Sequence, residues 1–193
     1  MSNLTVQTLS APAATGNKIH VPSPNVLYAP GHVIQVVQNH IWSQTTVGVP
    51  SSYATFTDVP DLNCSITPKS ATSKIYVMVR WFGEFSNEAA TWNLMWNLKR
   101  NGTLIGRNPA WPTDRNTGLQ ISAMSYRDVD SASTPESVMY NFLDSPASLA
   151  PLTYQACVET DTAITLYTNR TVGYAAGGHE AGTSSITLME IAQ

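Results

Sequence analysis

A chain of 193 residues is long enough to bury a core, and its formal charge of −3 argues against a general nucleic-acid binder, which would carry a basic field. Charged residues make up only 12% of the chain, against a usual share of about 25%, and Ser and Thr fill the polar quota. No run of about 18 apolar residues occurs, so membrane insertion is not expected.

Residues 1–31 read as an extended N-terminal arm. MSNLTVQTLSAPAATGNKIHVPSPNVLYAPG holds four of the twelve prolines and shows no helical period. It lacks the basic start and apolar block of a secretory signal. Such a segment cannot form its own core and is expected either to be disordered or to lie along a partner. Leu4, Val6 and Leu9, in LTVQTL, are the expected docking residues, by strand addition to a partner's sheet edge.

Residues 32–193 read as strand, turn, strand. HVIQVVQ alternates, and YATFTDV and LNCSIT follow between turn residues. KIYVMVRWFGEF, Lys74 to Phe85, is a strong strand filled with β-branched and aromatic residues. In WNLMWNLKRNGTLIG, Leu94, Trp96 and Leu98 share a face with Trp92. Asn101-Gly102 makes a tight turn, and Thr103 to Ile105 run back. RNPAWPTDRNTG is loop, LQISAMSYRDV strand and DSASTPES loop. VMYNFLD, TYQACVET, AITLYTNR and SITLMEIA complete the strands. Nine or ten short strands at such spacing predict an all-β sandwich, a jelly roll.

Cys64 shares a face with Leu62 and Ile66 and should point inward. Cys157 alternates with Gln155 and Glu159 on the opposite face from Tyr154 and Val158. Opposed directions disfavour a disulfide and predict two free thiols, as in a reducing compartment.

No specific catalytic constellation emerges. His20, His32, His40 and His179 lack metal-ligand spacing. Asp58 and Asp61 flank Pro60 as turn formers. Asp128, Asp130 and Glu136 could be imagined as a glycosidase pair but sit in a polar, solvated loop. The segment 173–182, GYAAGGHEAG, lacks the Lys-Ser/Thr of a phosphate loop and reads as a flexible loop at one end of the sandwich. Neither a catalytic set, a metal site nor a cofactor is expected. NLT, NCS, NGT and NRT match the glycosylation tripeptide, as a Ser/Thr-rich chain does by chance.

Trp111 stands apart, between two prolines and outside any strand. A Trp so held either anchors a protein or sugar contact or folds back to cap the sandwich. Arg115 and Tyr126, with Arg107 and Arg127, would add hydrogen bonding to that contact.

Several segments in order carry a resemblance: the LTVQTL arm, PGHVIQVVQ, TFTDVPDLNCSITPKSATSKIYVMV, LKRNGTLIG, NFLDSPASLAPLTYQACVE, TLYTNR and SSITLMEIA. Together they resemble the short fibre-type virion proteins of marine bacteriophages, especially those of cyanobacteria. The resemblance covers most of residues 31–193. It implies a homotrimeric jelly roll of the tumour-necrosis-factor type, docked by the arm to a capsid or tail protein of the virion. It also implies contact with host surface polysaccharide or protein. The chain has no long shaft, collagen-like stretch or coiled coil, which leaves a capsid knob open beside a short tail fibre. The alternatives are a carbohydrate-binding module, a polysaccharide depolymerase and a cytokine-like ligand.

The ending SSITLMEIAQ is apolar on both faces. Ile186 and Leu188 share one face, Met189 and Ile191 the other. A strand between a domain core and a neighbouring subunit would need both, so Met189 and Ile191 are candidate subunit-interface residues. Glu190, on the Ile186 side, must lie near the strand's end, reach solvent or pair with a cation.

Overall fold

A computed structural model describes residues 29–53, 55–86, 94–108, 110–112, 114–115, 117–122, 133–174 and 179–193. Leu4, Val6, Leu9, Trp92, Tyr126, Arg127, Asp128 and Asp130 lie outside the described residues. The strands are β1 (Val33–Ile41), β2 (Thr45–Val49), β3 (Thr57–Ile66), β4 (Lys74–Phe85), β5 (Leu94–Arg100), β6 (Thr103–Ile105), β7 (Gln120–Ser122), β8 (Glu136–Asp144), β9 (Leu152–Thr160), β10 (Ile164–Thr168) and β11 (Ser184–Ile191).

Period-two alternation builds two antiparallel sheets. In β4, Ile75, Val77, Val79 and Trp81 turn to the core, while Lys74, Tyr76, Met78 and Arg80 take the other face. The first sheet runs β1, β11, β4, with β8 on the opposite edge of β4. On the β11 side, β10 takes over at Gly83–Phe85 and carries β2. That handover needs Gly83, where a Cβ would collide with the Tyr167 carbonyl oxygen and the Trp81 ring. The second sheet runs β3, β9, β5, with β6 and β7 sharing the far edge of β5. The longer strands β1, β3, β4, β5, β8, β9 and β11 alternate strictly between the sheets.

The core lies between the sheets. Trp81 of the first sheet meets Trp96 of the second with ring centroids 4.8 Å apart and planes tilted by 45°. The Tyr140 hydroxyl, from β8, donates to the Asn97 carbonyl of β5 at 2.9 Å. Arg100 of β5 reaches Asp144 of β8 at 2.6 Å. Large aromatic burial thus carries three polar ties across the layers, counting Tyr154 to Asp144.

Three local readings change. YATFTDV and LNCSIT contribute to one strand, β3, whose register shifts between Asp58 and Asn63. Pro60 offers no donor there and Asp61 takes a φ of 62°, so the chain bulges instead of ending. β2, TTVGV, pairs with β10 and was not read as a strand. The strand read from LQISAMSYRDV is described only at Gln120–Ser122. The β5–β6 hairpin forms as expected, with φ of 48° at Asn101 and 80° at Gly102, the signs a type I′ turn requires.

Both cysteines are free. Cys64 joins the main core, as expected. Cys157 does take the opposite face, but it is not among polar neighbours in water. It is fully buried with Phe56 and Met95, in a second apolar cluster on the outer face of the second sheet.

Glu190 lies near the strand's end, as one of its three options required, but it does not reach solvent and meets no cation among the described residues. It is fully buried and accepts from the Gln35 amide at 2.7 Å and the backbone N–H of Lys69 at 2.8 Å and Ser70 at 3.1 Å. Glu84 is used the same way, accepting from the backbone N–H groups of Thr134 and Val172. Glu159 accepts from Thr117 N at 2.9 Å. Each buried carboxylate fastens a connection to a sheet by charge-assisted bonds to backbone donors.

Candidate interaction surfaces

The outer face of the first sheet carries an apolar row across four strands. Register places Val36 of β1 beside Met189 of β11, Met189 beside Tyr76 of β4, and Tyr76 beside Leu143 of β8. Val36 is 55% and Leu143 46% exposed, and Met189 and Tyr76 are partly covered. The next row, Gln38, Thr187, Met78 and Asn141, is mostly polar, and Gln38 donates to Thr187 Oγ1 at 2.8 Å. Arg80, one row further, bends to the Thr183 carbonyl at 2.8 Å, leaving Met139 of the same row 70% exposed. Ile191 is partly exposed beside Lys74 and Val33. Met189 and Ile191 therefore lie on the outer face, while Ile186 and Leu188 fill the core.

Trp111 lies in an excursion from an edge strand. Ile105 pairs with Leu98 and Gln120 with Trp96, successive inward-facing residues of β5, so the chain leaves after Ile105 and rejoins the same strand line at Gln120. The neck is narrow. A Cβ on Gly106 would press on Leu119, and one on Gly118 on the Trp96 carbonyl, while Gly106 has a φ of 81°. Arg107 holds the interior by donating to Thr117 Oγ1 and the Pro112 carbonyl, both at 2.7 Å. It is thus a staple of the loop and not a donor to an outside surface.

Between this excursion and the sheet lies a groove of about 330 Å³, lined by Trp111, Pro112, Arg115, Met95 and Ile121 among others. Trp111 is 41% exposed and belongs to neither apolar cluster, so it does not cap the sandwich core. Arg115 is exposed and has no hydrogen-bond partner among the described residues. The structure brings Trp111 and Arg115 together; Tyr126 lies outside the described residues.

Neither a protein-family model nor a curated protein matches the chain.

Trp42 is a further surface aromatic, one that strand alternation does not single out. It is 75% exposed, the most of any large hydrophobic residue among those described. It stacks on His40, with ring centroids 4.4 Å apart. Its signal was a Trp set directly after an alternating strand and before the polar Ser43-Gln44 turn, where a core Trp has no strand to place it.

Among the described residues, no group of three or more His, Cys, Asp or Glu is placed to hold a metal ion.

Proposed function

We propose that this chain is a bacteriophage virion structural protein: a trimeric knob or short fibre on the particle surface, docked through its N-terminal arm to a capsid or tail protein. The apolar row Val36–Met189–Tyr76–Leu143 carries the reading. A sheet face left in water should be polar, and contiguous exposed apolar surface marks an association site. A closed cyclic assembly covers such a face on every copy. The resemblance of the ordered segments supplies the three-fold and the virion. The strict alternation of longer strands between two sheets supports the jelly-roll reading within it.

In this reading Trp111 and Arg115 face outward to host polysaccharide or protein. A half-exposed indole and a guanidinium without a hydrogen-bond partner among the described residues, both on a stapled loop, suit such a contact.

Light scattering tests the assembly. Three chain masses of 20.9 kDa each are expected, and a monomer at micromolar concentration would end the proposal. Deleting residues 1–30 tests the docking role. The truncated chain should fold yet fail to join particles; normal incorporation would overturn the arm's part. Density for the protein in an intact particle separates head from tail.

A further inference from the structure

A second groove lies beside Trp42 and shares no lining residue with the one beside Trp111. We propose that it binds an uncharged hexopyranose. The groove holds about 410 Å³ and is lined by residues 39–43 of the β1 end together with Asp61 and Asn63 of β3. Trp42 and His40 form its aromatic wall. A pyranose ring has a face of C–H bonds that packs on an indole and a rim of hydroxyls that needs planar polar partners.

Those partners are present and held. The bulge of β3 sets Asp61 at a positive φ of 62°, which Asp tolerates better than most residues. Asn39 Nδ2 donates to the carbonyls of Asp61 at 3.1 Å and Asn63 at 2.8 Å. From the other side, Gln155 Nε2 donates to the carbonyls of Val59 at 2.7 Å and Leu62 at 3.1 Å. Ser43 Oγ donates to Asp61 Oδ2 at 3.0 Å, fixing the carboxylate. Bulges re-aim side chains at binding sites, and this one turns a carboxylate into a groove.

Several groups there are unspent. The Trp42 indole N–H, the His40 ring nitrogens and the Asn63 carboxamide make no hydrogen bond among the described residues. Together with Asp61 they offer donors and acceptors to adjacent hydroxyls. Among the described residues no Lys or Arg lines the groove, so a sugar carboxylate would find no cation there and would face Asp61. That selects a neutral ring over a uronic acid. Trp42 lies six residues along the chain from Val36, roughly 20 Å at strand rise, so covering the apolar row need not close the site.

The test titrates the ¹⁵N-labelled full chain with methyl glycosides of glucose, galactose and mannose, and with methyl glucuronide. The readout is the Trp42 indole N–H resonance, assigned by its loss in Trp42→Phe. At least one neutral glycoside should shift it saturably. Trp42→Ala, followed through the Asn63 carboxamide resonance, should weaken that glycoside at least about tenfold. Asp61→Asn, which keeps the left-handed backbone, should weaken it severalfold. Methyl glucuronide should bind more weakly than the neutral sugar. No shift with any neutral glycoside up to roughly 100 mM would overturn the proposal. So would unchanged affinity in either variant, or equal binding of the glucuronide. A fall in oligomer mass in Trp42→Ala would also overturn it, because Trp42 would then be packing between copies.

Discussion

The Tyr154 hydroxyl donates to Asp144 Oδ2 at 2.6 Å, joining strands that belong to opposite sheets. Arg100 meets the same carboxylate at 2.6 and 2.8 Å, so one buried acceptor serves two donors. Asp144 holds the Arg100 guanidinium above its ordinary range by hydrogen bonding, against the opposing effect of partial burial. Asp144→Ala leaves a covered phenol and a guanidinium unpaired. The expected loss is about 2–3 kcal/mol, below the range for fully buried pairs because Arg100 is partly in water. Urea unfolding checks it, and an unchanged midpoint would mean that water replaces the carboxylate.

Glu190 ties the 67–72 turn to β11. Glu190→Ala orphans the N–H groups of Lys69 and Ser70 and should cost about 1–3 kcal/mol. Hydrogen exchange locates the effect. Both amides should exchange much faster, while those in the centre of β4 keep their protection relative to global stability.

Burial pushes the Cys157 thiol up to about 12, outweighing the nearby Lys99 charge, and it raises Cys64 as well. Native protein at pH 8 should therefore react with neither thiol reagent equivalent, and both should react after unfolding. An unfolded Cys157 loses its proton near 9, and the folded one holds it to about 12. Stability is full below pH 9 and falls as pH rises from 9 towards 12. The desolvated Tyr154 and Tyr140 phenols add to the fall above pH 10. Denaturation midpoints between pH 8 and 11 should drop, less steeply in Cys157→Ala.

Met189→Asp places a charge in the middle of the apolar row, on the face away from the core. It should shift the light-scattering mass to that of a single chain, with the far-ultraviolet circular dichroism kept. A charge buried in an interface without a cation is strongly disfavoured. Unchanged mass would remove this face from the assembly.

Gly83→Ala forces a Cβ into the Tyr167 carbonyl and should destabilise by about 1–3 kcal/mol, loosening β10 and β2 first. Thermal unfolding measures the loss, and amide exchange at Leu166 and Val47 places it.

Alternation carried much of the fold in the sequence. β4 has the bounds its pattern indicates, because every second residue from Ile75 to Trp81 is large and apolar, and Phe85 resumes the phase after Gly83. Asn101-Gly102 fixed a hairpin because few other pairs take positive φ at both turn positions. β2 was illegible because five residues, one a glycine, give too short a pattern and its partner β10 is distant in sequence. β3 looked like two strands because Pro60 and Asp61 carry turn chemistry, while the neighbours on β9 keep the chain in line. The burial of Cys157 and of Glu190 depends on which segments lie over a sheet face, and no local period encodes that. Trp111 and Arg115 were found as neighbours in sequence; the groove beneath them needed Met95, from a different strand.

The excursion at residues 106–119 hangs from two fixed rungs on β5, Leu98 with Ile105 and Trp96 with Gln120. Lengthening it adds little to the entropy of closing the loop. Its rungs, its two neck glycines and the Thr117–Glu159 bond can stay unchanged while everything at its tip is rewritten. The sandwich therefore accepts this segment as an exchangeable cassette. Grafting a different sequence between Arg107 and Thr117 should alter what the protein touches without retuning how it folds.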